Sequence, residues 1–208
     1  QKLWRDRAIQ LLMFEGCFVG FGVGVFNVAI PAFATQEGVQ YRVAWIFAAF
    51  GAATVIGGLL GGLVSKKLAP LSAFRTVYAL WFIACIPIAF TYPDWTMALV
   101  GACIGLLGGA QKVFYFEVLE AVRPKGSQTS SLGWIWTVEG SFMALGSAVG
   151  GVVSETYSPQ VGLAIMPSMI FIGLIILSIG RGRLSAANDI PTEEEDLQAL
   201  ENNSSSDK

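Results

Sequence analysis

The 208 residues are 54% hydrophobic and only 13% charged, with a mean hydropathy of +0.60; a soluble domain carries roughly a quarter charged residues, so this chain is built to face lipid over most of its surface. There is no histidine, which removes His-activated nucleophiles, the commonest metal ligand and the usual proton shuttle of neutral pH. The net charge is −2, the acid is concentrated in the last twenty residues, and no basic face can be drawn, so a nucleic-acid partner is excluded.

A hydrocarbon core of about 30 Å takes about 20 apolar residues per helix. Lipid offers no partner to backbone N–H and C=O groups, so every span must be a helix. The first span, about 9–36, carries Glu15 and Asn27, and Pro31 is expected to kink its outer end. Its GFGVG at 20–24 has no strand before it and is no dinucleotide loop. QEGVQYR leads to the second span, about 43–64, and SKKLAPLSA to the third, about 74–92, which holds Pro87 and is otherwise apolar. After YPDW, the fourth span, about 96–118, carries Gln111 and Lys112; this lysine follows GGAQ within a helical run and matches no phosphate loop. EAVRPKGSQ precedes the fifth span, about 129–154, with Glu139 amid Thr137 and Ser141, and SETYSPQ precedes the sixth, about 160–180, with Pro167. Cys17, Cys85 and Cys103 lie singly inside these runs and read as small buried hydrophobes. No metal or cofactor is expected. Residues 1–181 thus form a six-helix transmembrane domain, and 182–208, with TEEED and NNSSSDK, an acidic tail predicted to be disordered.

Lys and Arg alternate between the two sides. One side holds Lys2, Arg5 and Arg7, then Lys66, Lys67 and Arg75, then Arg123 and Lys125, then Arg181 and Arg183; the other holds Arg42 alone, with Glu37, Asp94 and Glu155. The positive-inside rule predicts that both termini are cytoplasmic, and the inner (plasma) membrane is the expected location.

Polarity is unequal among the spans. The first and fourth carry polar groups, while the third and sixth are apolar and expected at the periphery. This is the pattern of two inverted three-helix repeats around a cavity. At 1.5 Å per residue, Glu139 lies near the midplane and Lys112 not far from it, so that the two either pair or each face water. Glu15 is expected at the interface, and Asn27 either bonds a facing helix or lines the path. Glycines recur every fourth residue: Gly16, Gly20 and Gly24; Gly57 and Gly61; Gly58 and Gly62; Gly101, Gly105 and Gly109; Gly146 and Gly150. Such rows let helices approach closely where there is no hydrophobic drive between them, and smooth faces of this kind would also let helices slide.

The stretch GGLLGGLVSKKLAPLSAFR at 57–75 resembles the loop between the second and third helices of a major facilitator half, G-x-L-a-D-r-x-G-r-r. Gly61 or Gly62, Lys66, Lys67 and Arg75 hold its glycine and basic positions; the acidic residue is absent, with Ser65 near its place, and Ala69 or Pro70 replaces the second glycine. FGVGVFNVAIPAFATQEG at 21–38 resembles helix 7 of bacterial efflux-type members. Residues 118–151 resemble their helix 10–11 hairpin, with its P-x-G turn, tryptophan and small-residue stretch, although Thr129, Ser130 and Ser131 stand where members often have Thr-Glu-Ala. The resemblance implies an all-α membrane protein of twelve helices, of which this chain, beginning at Gln1 without an initiator Met, supplies helices 7–12. It implies that the loop charges latch the cytoplasmic side. It further implies secondary transport of a small organic molecule, exported in exchange for protons by alternating access, with Asn27, Gln111, Lys112 and Glu139 along the path. The partner would be a six-helix N-terminal half of the same polypeptide or a second copy. The competing reading is a membrane scaffold or assembly protein that transports nothing. An intramembrane enzyme is disfavoured by the absence of histidine, of facing aspartates and of a metal motif.

Overall fold

The computed structural model describes residues 7–65, 69–123 and 128–184. They form six helices: α1 (Arg7–Gln36), α2 (Val43–Ser65), α3 (Pro70–Cys85), α4 (Trp95–Val122), α5 (Gln128–Thr156) and α6 (Pro159–Ile179), with short 3-10 turns at Gln40–Arg42, Ile86–Phe90 and Gly180–Gly182. There is no strand among the described residues. Five of the six helices are long and apolar enough to cross a membrane by length and composition. The exception, α5, is of similar length but carries Glu139 among threonines, serines and glycines. It runs alongside α1, so it spans the same depth.

Local chemistry sets the helix ends. α1 closes on Gly38, whose φ of +70° suits glycine, and the Val39 amide reaches back to the Ala34 carbonyl in a Schellman arrangement. α1 continues through Pro31, which has no N–H to return to the Asn27 carbonyl. Pro87 acts more strongly: α3 ends at Cys85 and the chain tightens into a 3-10 turn. Ser158 caps α6, with Pro159 in its first turn.

Asp94 caps α4 by accepting from the Thr96 amide at 2.7 Å and the Thr96 hydroxyl at 2.6 Å. These bonds hold its carboxyl below the ordinary aspartate range. The stabilisation is therefore present above the unfolded-state pKa and is lost as pH falls through the lower folded one. Asp94→Ala is expected to cost about 1 kcal/mol at the start of α4, read as faster hydrogen exchange at the Thr96 amide; at acid pH wild type and variant should converge.

The packing reveals the repeat. α1 lies along α5 and α6, α4 lies along α2 and α3, and α3 meets α6. Glycines mark the close approaches: a Cβ on Gly20 or Gly24 would overlap the carbonyl of Glu139 or Met143, and one on Gly105 or Gly109 the carbonyl of Phe50 or Thr54. In return, Gly146 and Gly150 meet Phe21 and Val25, as Gly57 and Gly61 meet Leu106 and Ala110. A shift of 85 residues carries each α1 position onto α4 (20 to 105, 21 to 106), and a shift of 89 carries α2 onto α5 (50 to 139, 57 to 146), turning one set of contacts into the other. Successive helices alternate in direction, so the operation inverts the bundle. The repeat survives in where backbones touch, and the side chains around those points have diverged.

Exposure differs among the helices of this six-helix unit. The apolar spans α3 and α6 are less exposed than α2, which turns Val55, Ile56, Leu59 and Leu63 outward, and than α5, which exposes Trp136, Leu145 and Val152. α3 and α6 each pack against a long helix and against each other, whereas α2 and α5 rest chiefly on one helix apiece.

Candidate functional site

The interleaved packing yields two groups, α1–α5–α6 and α2–α3–α4, with a seam between them where α1 and α4 make few contacts and α4 and α5 scarcely touch. Polar side chains stitch this seam in one layer. Glu15 and Tyr78 each lie eight residues in from their helix starts at Arg7 and Pro70, Lys112 ten residues before Val122, and Glu139 eleven after Gln128. At 1.5 Å per residue these are all about 12–17 Å from the same, basic end of the bundle.

Lys112 crosses from α4 to α5, its Nζ 2.6 Å from Glu139 Oε1 and 2.8 Å from Oε2. The ammonium also lies 5.3 Å from the centroid of the Tyr115 ring, a cation–π contact. Glu139 is held in place by its backbone, which abuts Gly20 of α1. The side chains keep 33% and 17% of their surface open, so the pair is reachable from one side of the seam.

Glu15 is 1% exposed, and the Tyr78 hydroxyl donates to its Oε1 at 2.8 Å. The expectation of an interfacial Glu15 is thus overturned: the helix begins at Arg7 and turns this carboxyl inward. Space for the pair comes from Gly173 of α6, where a Cβ would overlap the Tyr78 hydroxyl. Tyr115 reaches from α4 to the Leu12 carbonyl of α1 at 3.5 Å. Around these groups Phe74, Tyr78, Trp81 and Tyr115 meet edge to face, which keeps water from the α1–α3–α4 side.

The other sequence-derived positions lie apart from this layer's open pair. Gln111 is buried, and its Oε1 has no hydrogen-bond partner. Asn27 is exposed on α1, and the 85-residue shift makes it the counterpart of Lys112. Gly61 is buried against Ala110, whereas nothing lies near Gly62. Arg75 is half-buried early in α3, its Nε without a partner. Lys66 and Lys67 lie outside the described residues. Glu15, Tyr78 and Gly173 are the members that sequence reasoning missed. No group of His, Cys, Asp and Glu suited to a metal occurs among the described residues.

Such a layer can break and remake a charge pair where backbones hold least tightly. A family model described as Major Facilitator Superfamily matches residues 12–204. The chain is 28% identical over 188 residues to YtbD of Bacillus subtilis (strain 168), an uncharacterized MFS-type transporter, an alignment covering 86% of this chain and 46% of that protein. The chain therefore spans about half the length of the curated relative it matches.

Proposed function

Because this chain belongs to the major facilitator superfamily, we propose that it forms the C-terminal six-helix half of a secondary transporter that exports a small organic molecule in exchange for protons by alternating access. The observation that carries this reading is the Lys112–Glu139 pair, an exchangeable charge pair at membrane depth that joins α4 to α5 across a loosely packed seam. Intramembrane charges are costly and belong to pathways. Asn27 and Lys112 occupy equivalent positions in the two repeats, so they offer a substrate paired contacts on either side of the midplane; Gln111 lies behind Lys112 on the same helix. The outward apolar faces of α2 and α5 take the other six-helix half of the same polypeptide, or a second copy. Arg7, Arg75, Arg123, Arg181 and Arg183 at one end, against Arg42 at the other, make the first end cytoplasmic in a plasma membrane. The basic positions Lys66, Lys67 and Arg75 serve as the cytoplasmic latch.

The test is flux. The full-length protein in proteoliposomes with an imposed pH gradient is expected to move members of a panel of small fluorescent dyes in the direction opposite to the protons. Movement should collapse when the gradient is dissipated. Flux with no dependence on the gradient would remove proton exchange, and no flux of any dye or small organic solute would favour the scaffold.

A further inference from the structure

The polar layer holds two carboxyls and one ammonium. Lys112 is engaged with both oxygens of Glu139, and among the described residues no Lys or Arg forms an ion pair with Glu15. The groups facing Glu15 are Tyr78 from α3, Lys112 and Tyr115 from α4, and Glu139 from α5; α6 contributes Gly173 and nothing titratable. Fully ionised, this layer carries one surplus negative charge away from water, a costly condition that a single monovalent cation relieves.

We propose that Glu15 is a proton-binding site, the proton residing on its carboxyl behind the Tyr78 hydroxyl and separate from the substrate-facing pair. A proton fits where a metal cation does not. The surroundings are the phenol of Tyr78, aromatic rings and Gly173, without the cage of oxygens that a hard cation requires. The site takes its proton from water and returns it when Lys112 leaves Glu139 and turns to Glu15. The ammonium then supplies the positive charge, the O–H bond of Glu15 breaks, the proton passes to water, and Glu139 is free for a cationic group of the substrate. This last exchange rests on the transport reading above; the proton site itself does not.

Infrared spectroscopy of the full-length protein in phosphatidylcholine vesicles at neutral pH reads the site without any transport. A C=O band of a protonated carboxyl is expected in the wild type, absent in Glu15→Gln and retained in the double variant Lys112→Gln/Glu139→Gln. Tyr78→Phe, which changes no charge, should keep the band and shift its frequency through loss of one hydrogen bond. Glu139→Gln alone frees Lys112 and should abolish the band; its persistence there would overturn the exchange step. A band that survives in Glu15→Gln, or no band in the wild type, overturns the site. A band present in choline chloride but lost in sodium chloride would mean that the site takes a metal cation, and the proposal fails. A failed dye-flux assay leaves these spectra standing, and failed spectra leave flux standing.

Discussion

Lys112→Met is expected to be more destabilising than Glu139→Gln, and the double variant less destabilising than either. Removing one member of a buried pair leaves an uncompensated charge, which costs about 3–5 kcal/mol in a closed interior. With a third of the Lys112 side chain open, roughly 2–3 kcal/mol is the appropriate share for Lys112→Met, which leaves Glu139 without a cation. Glu139→Gln should cost less, because the freed ammonium has Glu15 to turn to. Neutralising both removes the uncompensated charge, so thermal unfolding in detergent should return close to wild type. Flux should not return: loss of a charge-assisted bond worth about 1.5–3 kcal/mol corresponds to roughly a ten- to hundredfold fall. A double variant as unstable as Lys112→Met would show that these side chains hold the bundle by packing alone, and one that transports normally would remove the pair from the pathway.

The second large effect concerns backbone approach. A Cβ on Gly57 would overlap the backbone of Leu106, yet five residues further along the same helix nothing lies within 4 Å of a Cβ on Gly62. Gly57→Ala should therefore force α2 from α4 and cost about 3 kcal/mol, at the upper end for overpacking. Gly62→Ala should cost nothing and gain a few tenths of a kcal/mol in helix propensity. The inverted repeat makes a further demand: Gly146→Ala, which drives a Cβ into the Phe21 backbone of α1, should match Gly57→Ala. Melting of the three variants in one detergent decides it. Equal stability of Gly57→Ala and Gly62→Ala would mean that these helices do not depend on carbonyl-to-glycine contact.

Much of this was legible in the sequence because lipid is a demanding solvent. Any segment crossing it must be helical and apolar, so the all-α class and the helices around Lys112 and Glu139 follow from hydropathy. That these two side chains share a level follows from counting 1.5 Å per residue. The same counting misplaces Glu15, since depth alone does not tell which way a side chain turns. Its partners, Tyr78 and Gly173, stand on spans that look apolar and lie far away in the chain. A tyrosine matching the depth of a lone carboxyl was the available signal. The repeat was visible only as polarity, although the glycine spacing at 20 and 24, 105 and 109, 57 and 61, 146 and 150 already carries its register. The exposure of α2 and α5 had no sequence signal, because a side chain meeting lipid and one meeting another protein are equally apolar.

The interleaving of the two helix groups bears on how the chain is made. α1 finds most of its long-range neighbours in α5 and α6, while α2 finds its own in α4. During synthesis α2 therefore meets its main neighbour, α4, before α1 meets either α5 or α6. Glu15 and Tyr78 gain the cover of Gly173 only once α6, the last of these six helices, is in place.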